Sequence, residues 1–123
     1  MAEHVLDTNF LSKLFYGDLG VKQFVEDLDV GIETVVYIES IQGSIAKKDR
    51  ERIKRSLSKI KYYSLTPEIA IQANDLIDTH SAANGLFLGD AMIASTALYY
   101  DLTLTTYNRK HFRFIDRLRI IRP

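Results

Sequence analysis

Three acids far apart in the chain, Asp7, Glu39 and Asp90, sit among apolar neighbours, where a carboxylate needs a partner. Asp7 sits in V-L-D-T-N, Glu39 lies in V-V-Y-I-E-S-I-Q-G, and Asp90 begins the expected buried helix in L-G-D-A-M-I-A-S-T-A-L. Each has an ordinary structural explanation. Asp7 and Asp90 could cap the helices that follow them, and Glu39 could belong to a solvated helix face. Thr8 and Asn9 already offer capping groups, which leaves Asp7 partly redundant as a cap. The three acids gain meaning together, each expected near the start of a helix at one end of a sheet. Clustered carboxylates repel one another unless a cation neutralises them. Their hard oxygens suit Mg²⁺ or Mn²⁺, and one or two such ions can stabilise a phosphodiester's developing charge and activate water for in-line attack.

Several other chemistries are excluded by what is missing. There is no cysteine, so a disulfide framework, a zinc finger and a thiol nucleophile are ruled out. No G-x-G-x-x-G follows the first apolar run, and neither a G-x-x-x-x-G-K-[ST] loop nor a G-x-S-x-G elbow occurs. His4, His80 and His111 are scattered and form no metal motif; His111 is expected as a surface or packing residue.

Positioning the acids requires strands and helices in alternation. Residues 3–7 form a short strand, followed by a helix through FLSKLFYG that turns at Gly17. A second helix is expected over 19–28, with Val21, Phe24, Val25 and Leu28 on one face. A strand over 30–35 precedes helices over 37–46, where Ile41 and Ile45 share a face, and over 49–60, where Ile53, Leu57 and Ile60 do. Residues 61–65 are a short strand. Thr66-Pro67 starts a helix over 67–82, with Ile69, Ala70, Ala73, Leu76 and Ile77 inward. The stretch 89–100 is a buried helix, and 102–106 and 118–121 are strands. Such alternation predicts a parallel α/β sheet, whose ligands bind at the carboxyl ends of the strands. Asp7 closes the first of them.

The 123 residues make one domain, 1–123, with no repeat or linker; 46% are hydrophobic and 26% charged. No secretory signal or membrane span of about 18 apolar residues is present, so a cytoplasmic protein with no membrane association is expected. The net charge of zero conceals four blocks. Residues 1–46 hold two bases and eight acids, net −6; 47–61 hold eight bases and two acids, net +6; 62–108 hold five acids and no Lys or Arg; 109–123 hold six bases and one acid, net +5. Acidic and basic regions in one molecule can bind a cation at one place and a polyanion at another.

The sequence resembles the PIN domain family, and within it the toxin subunits of VapBC toxin–antitoxin pairs. The residues that carry the likeness are V-L-D-T-N at 5–9, E-S-I-Q-G at 39–43, G-D-A-M-I-A-S-T-A-L at 89–98 and L-T-T-Y-N-R-K-H-F at 104–112. The resemblance implies a three-layer α/β/α sandwich around a parallel sheet, and Mg²⁺- or Mn²⁺-dependent endonucleolytic cleavage of RNA. It implies that Asp7, Glu39 and Asp90 are the catalytic and metal-binding acids, with Thr8, Asn9, Thr106 and Asn108 in support. It also implies a VapB-like antitoxin lying across the acidic pocket, and a homodimer. One departure stands out. Where the family often has a fourth acid, this chain has Asn108 or His111, and Asp116 further on is no substitute. Asn carries no charge, so one divalent ion is expected rather than two.

RNA phosphates would meet the basic residues Lys47, Lys48 and Arg50 of the central block, and Arg109 and Lys110 near the C-terminus. Of Tyr62 and Tyr63, one could stack a base while at least one packs in the core. The rival class is a catalytically weak or inactive PIN-type module that binds RNA or protein, supported by Asn108. A receiver-like or phosphatase-like domain with Asp7 as phosphoacceptor is disfavoured, because the second acid of a D-x-D site is replaced by Asn9.

Overall fold

Val5 and Leu6 are both fully buried although they point to opposite faces of one strand, so the first strand lies inside the molecule with helices on either side. The computed structural model describes residues 3–26, 28–44 and 46–122. Along the chain run β1 (Glu3–Leu6), α1 (Thr8–Phe15), α2 (Leu19–Glu26), β2 (Asp29–Glu33), α3 (Thr34–Gln42), α4 (Lys47–Leu57), β3 (Lys61–Tyr63), α5 (Pro67–Asn84), α6 (Leu88–Tyr100), β4 (Thr103–Thr105) and β5 (Arg119–Ile121), with a 3₁₀ turn at Arg109–His111. The strands form one sheet in the order β3-β2-β1-β4-β5, and every pairing is parallel. With its helices the sheet makes a three-layer α/β/α sandwich, as the resemblance implies, and its parallel order is the one that the alternation of elements predicts.

Register follows from the buried sets. Val5 lies opposite Gly31 of β2 and Leu104 of β4. Gly31 is required by its neighbour: a Cβ there would fall 2.4 Å from Tyr63 Cε2 and 2.8 Å from the Lys61 carbonyl oxygen. The Tyr63 ring thus packs over bare backbone where β2 meets β3. The core continues through Phe10 and Leu11 of α1, Val36 of α3, Ala91, Ala94 and Ala97 of α6, and Phe112. The apolar run 89–100 is the buried helix that its composition predicts, six of its residues being buried.

Helix starts and stops have local causes. Thr66 Oγ1 accepts from Ile69 N at 3.2 Å with Pro67 in the first turn, and α5 ends on Gly85, at φ +66°. Of the residues expected inward on this helix, Ile69 and Ala73 are buried, and Ala70, Leu76 and Ile77 are partly so. α6 ends on Asp101 at φ 59°, and the Arg119 guanidinium holds that residue by its side chain at 2.8 Å and its carbonyl at 2.9 Å.

The structure departs from expectation mainly around β2. The strand ends at Glu33 rather than residue 35, and α3 covers 34–42 rather than 37–46. The β-branched run Thr34-Val35-Val36 looks like strand, but Glu33 Oε1 accepts the Val36 N–H at 2.7 Å and starts the helix there. α4 likewise runs 47–57 rather than 49–60, and β3 covers only 61–63. Ile45 lies outside the described residues. No helix among those described is long and apolar enough to cross a membrane.

Candidate active site

Because the sheet is all parallel, the carboxyl ends of its strands lie along one side, and the residues following β1 and β4 meet there. Asp7, immediately after β1, is buried at the N-cap of α1. Its Oδ1 accepts the Phe10 N–H at 2.9 Å, and its Oδ2 accepts the hydroxyl of Thr106, immediately after β4. Asp7 is therefore the cap itself, not a redundant neighbour of one. Thr8 caps nothing. Its hydroxyl donates to Glu39 Oε1 at 2.6 Å and ties α1 to α3. Thr106 is fully buried and its Oγ1 also accepts the Asn108 N–H at 3.0 Å, so one hydroxyl fixes both Asp7 and the loop that carries Asn108.

Asp90 stands in the first turn of α6, two residues inside the helix, whose N-cap is Phe87. Its carboxylate is 3.9 Å from His111 Nδ1. Glu39 corrects a second expectation. It is the sixth residue of α3 rather than an acid at the helix start. The acid at that start is Glu33, 1% exposed, whose Oε2 has no partner among the described residues. Its capping geometry, an acid three residues before a helical N–H, was the available signal, but the β-branched run behind it hid the helix start.

Asp7, Thr8, Asn9, Glu39, Asp90, Asn108 and His111 line one cavity of about 300 Å³. His111 is exposed, as expected, and it also lines the cavity beside Asp90. It is the last residue of the 3₁₀ turn, which brings it to the cavity, and its position in the N-R-K-H-F motif was the only signal for it. Thr106 sits behind Asp7 as support. The basic residues are distributed differently. Lys47, Lys48 and Arg50 are exposed on α4 outside this cavity, and Arg50 Nε reaches Ser44 Oγ at 3.3 Å. Arg109 and Lys110 line an adjoining concavity with Tyr107, Asn108, Arg113 and Arg122. There the Tyr107 ring stacks on Phe10 at 5.4 Å, with Lys13 Nζ 5.2 Å and the Arg122 guanidinium 5.5 Å from its centre. Of the two tyrosines near the central basic block, Tyr63 is buried in the core, while Tyr62 is half-exposed and bonds Thr34 Oγ1 at 2.8 Å.

Burial dominates the electrostatics of these acids. Burial raises the pKa of Asp7, against the bonds from Thr106 and Phe10, and Glu39 adds to the rise. Burial raises Asp90 too, opposed by His111 and the Phe87 N–H and reinforced by Asp7 and Glu39. Burial also raises Glu33, opposed by the Val35 and Val36 N–H groups. Among the described residues, no three Asp, Glu or His groups converge on one point as a finished metal cage. The acids instead face a shared space open to water. An all-oxygen set of this kind fits a hard divalent ion that keeps several of its own waters.

A model of the PIN domain matches residues 4–118. Ribonuclease VapC10 of Mycobacterium tuberculosis is 31% identical over 87 residues, a stretch covering 70% of this chain and 65% of that protein, so the match spans just under two thirds of the relative's length. A chain in a toxin–antitoxin complex from Klebsiella pneumoniae superposes with a TM-score of 0.81 at 28% identity, over 96% of this chain and 95% of that one. A chain of the DNA-bound VapBC complex from Salmonella typhimurium has the same fold, with a TM-score of 0.84 at 22% identity over 99% and 98% of the two chains.

Proposed function

Since this chain belongs to the PIN domain family, we propose that it is a metal-dependent endoribonuclease and the toxin half of a toxin–antitoxin pair. The observation that carries the proposal is the cavity in which Asp7, Glu39 and Asp90, from three separate elements, line one wall system together with Asn9 and Asn108. Asp7, Asp90 and Glu39 would hold Mg²⁺ or Mn²⁺. When bound, the ion supplies Lewis-acid stabilisation of the phosphodiester and activation of water for in-line attack.

The rest is done by the chain's own residues. Thr106 and the Phe10 N–H fix the Asp7 carboxylate in one orientation. Thr8 engages one Glu39 oxygen and leaves the other to hold a proton or water. Asn9 and Asn108 offer neutral donors to a phosphate oxygen. Arg109 and Lys110, directly beyond Asn108, take the neighbouring phosphates. Lys47, Lys48 and Arg50 take phosphates further along the strand. The Klebsiella and Salmonella complexes support a VapB-like antitoxin as partner, laid across the cavity; a second copy of this chain completes the proposed assembly.

Purified chain with Mn²⁺ or Mg²⁺ is expected to cut RNA, and Asp7→Asn to abolish cutting while keeping its cap through the amide oxygen. Equal cleavage by the variant would sink the site assignment. The neutral Asn108 favours one rival, a module that binds without cutting. Metal titration separates the two: a chain that binds RNA but takes up no Mn²⁺ at millimolar concentration is the module.

A further inference from the structure

Next to the acid cavity lies a second cleft of about 280 Å³, and Thr8 and Glu39 are walls of both. It opens between α1, α3 and α4. Phe15 and Tyr16 give it an aromatic side, Tyr16 being 84% exposed. Asp49 and Arg52, one turn apart on α4, both line it. Among the described residues neither belongs to an ion pair. Two serines of the cleft are already committed: Ser40 Oγ donates to the Val36 carbonyl at 2.7 Å and Ser44 Oγ to the Ile41 carbonyl at 2.6 Å. Away from the shared wall of Thr8 and Glu39, the charges of the cleft are thus the Asp49 carboxylate and the Arg52 guanidinium, set beside an aromatic wall.

We propose that this cleft is a nucleobase subsite for the strand whose phosphate enters the acid cavity, and that its preferred base is guanine. The inference rests on the nuclease proposal above. A strand crossing the shared wall at Thr8 and Glu39 delivers its next base into the cleft. The space is close to the roughly 300 Å³ lower limit of small-molecule pockets, the scale of one planar base. Tyr16 supplies a stacking face. The Asp49 carboxylate has two acceptor oxygens, and guanine alone among the four bases presents two adjacent donors, N1–H and N2–H₂, on its pairing edge. The Arg52 fork matches guanine O6 and N7. Adenine and cytosine offer an amino group beside an acceptor, and uracil offers one N–H between two carbonyls. An apolar side chain from a protein partner would strip water from Asp49 and Arg52 and give them nothing in return.

The test is a titration of the full chain with GMP, AMP, CMP and UMP, followed by backbone amide NMR. GMP is expected to shift resonances of α1, α3 and α4 around the cleft, with about a tenfold preference over AMP, the discrimination of one bidentate base contact. Asp49→Asn is expected to erase that preference while the rest of the spectrum shows the fold intact, and Arg52→Gln to weaken it. A silent titration, equal responses to all four nucleotides, shifts away from the cleft, or a GMP preference that survives Asp49→Asn would each overturn the proposal. Binding does not depend on cleavage, so the two proposals fail separately. A chain that binds GMP in the cleft but cuts no RNA fails only as a nuclease. A chain that cuts random-sequence RNA with Mn²⁺, with no guanine enrichment beside the cut, fails only as a guanine reader.

Discussion

Asp7 divides its two oxygens between two structural tasks, capping α1 with one and receiving the Thr106 hydroxyl with the other. Each oxygen keeps a further lone pair for the cavity. The hydrogen bonds offset only part of the burial that raises its pKa, and the remaining imbalance is the one a cation would remove. Thr106 is the support most open to test, because valine keeps its shape and deletes its hydroxyl. Thr106→Val is expected to cost about 1–3 kcal/mol, since the Asn108 N–H and Asp7 are each deprived of a bond. It should also weaken Mn²⁺ binding by roughly tenfold or more, the usual effect of removing a group that orients a ligand. Thr106→Ser should restore most of both. Calorimetric titration with Mn²⁺ and denaturant unfolding check the pair of effects; Mn²⁺ affinity unchanged in Thr106→Val would remove Thr106 from the site.

The junction between β2 and α3 shows what an element can carry unseen. Glu33 caps α3 through one oxygen and buries the other without a partner among the described residues. Burial raises its pKa, so the folded state keeps this proton to higher pH than the unfolded state does. The stability it contributes is full below the ordinary carboxyl range and is lost as pH rises through the raised value. Glu33→Gln keeps an oxygen for the cap and does not titrate. It is expected to unfold at higher denaturant than the wild type near neutral pH, with the gap closing as the pH falls below the ordinary carboxyl range. Midpoints measured across that span decide it, and a gap that widens in acid contradicts it.

The same junction marks the limit of what was legible in the chain. Long elements declared themselves, α5 because Thr66-Pro67 announces a start and its inward positions recur over several turns, and α6 because it is apolar almost throughout. Strands of three to five residues carry too few positions to show where they end. Of the site, the acids and Thr106 were legible as motif residues, and the parallel order explains why they meet. His111 and Glu33 were not, for one faces the cavity only because a 3₁₀ turn brings it back, and the other is a cap inside a strand-like run.

At the scale of the whole molecule, the charge blocks acquire positions. The basic stretch 47–61 forms α4 and enters β3 at one edge of the sheet, and the basic stretch 109–123 holds the 3₁₀ turn and β5 at the other. The acids that line the cavity lie between these flanks. A polyanion held at both sides, as the proposed function requires, would be drawn across an acidic centre that would repel it alone. RNA binding should accordingly weaken steeply with salt. Replacing both Arg109 and Lys110 by Gln is expected to reduce the log–log salt slope by about 0.7 for each phosphate no longer neutralised. Lys22→Gln on α2 should leave the slope unchanged. Equal slopes for the double variant and the wild type would place the strand elsewhere.

β1 is made before the other four strands of its sheet and becomes the middle one, and the hydroxyl that holds Asp7 lies 99 residues beyond that acid. During synthesis the chain emerges from the N-terminus. A nascent chain extending only through α6 has β1 open along the edge that β4 will occupy, and Asp7 without its Thr106 bond. If the cavity cuts RNA, the order of the strands keeps it unfinished until the segment that carries β4 and Thr106 has left the RNA-built machine that makes it.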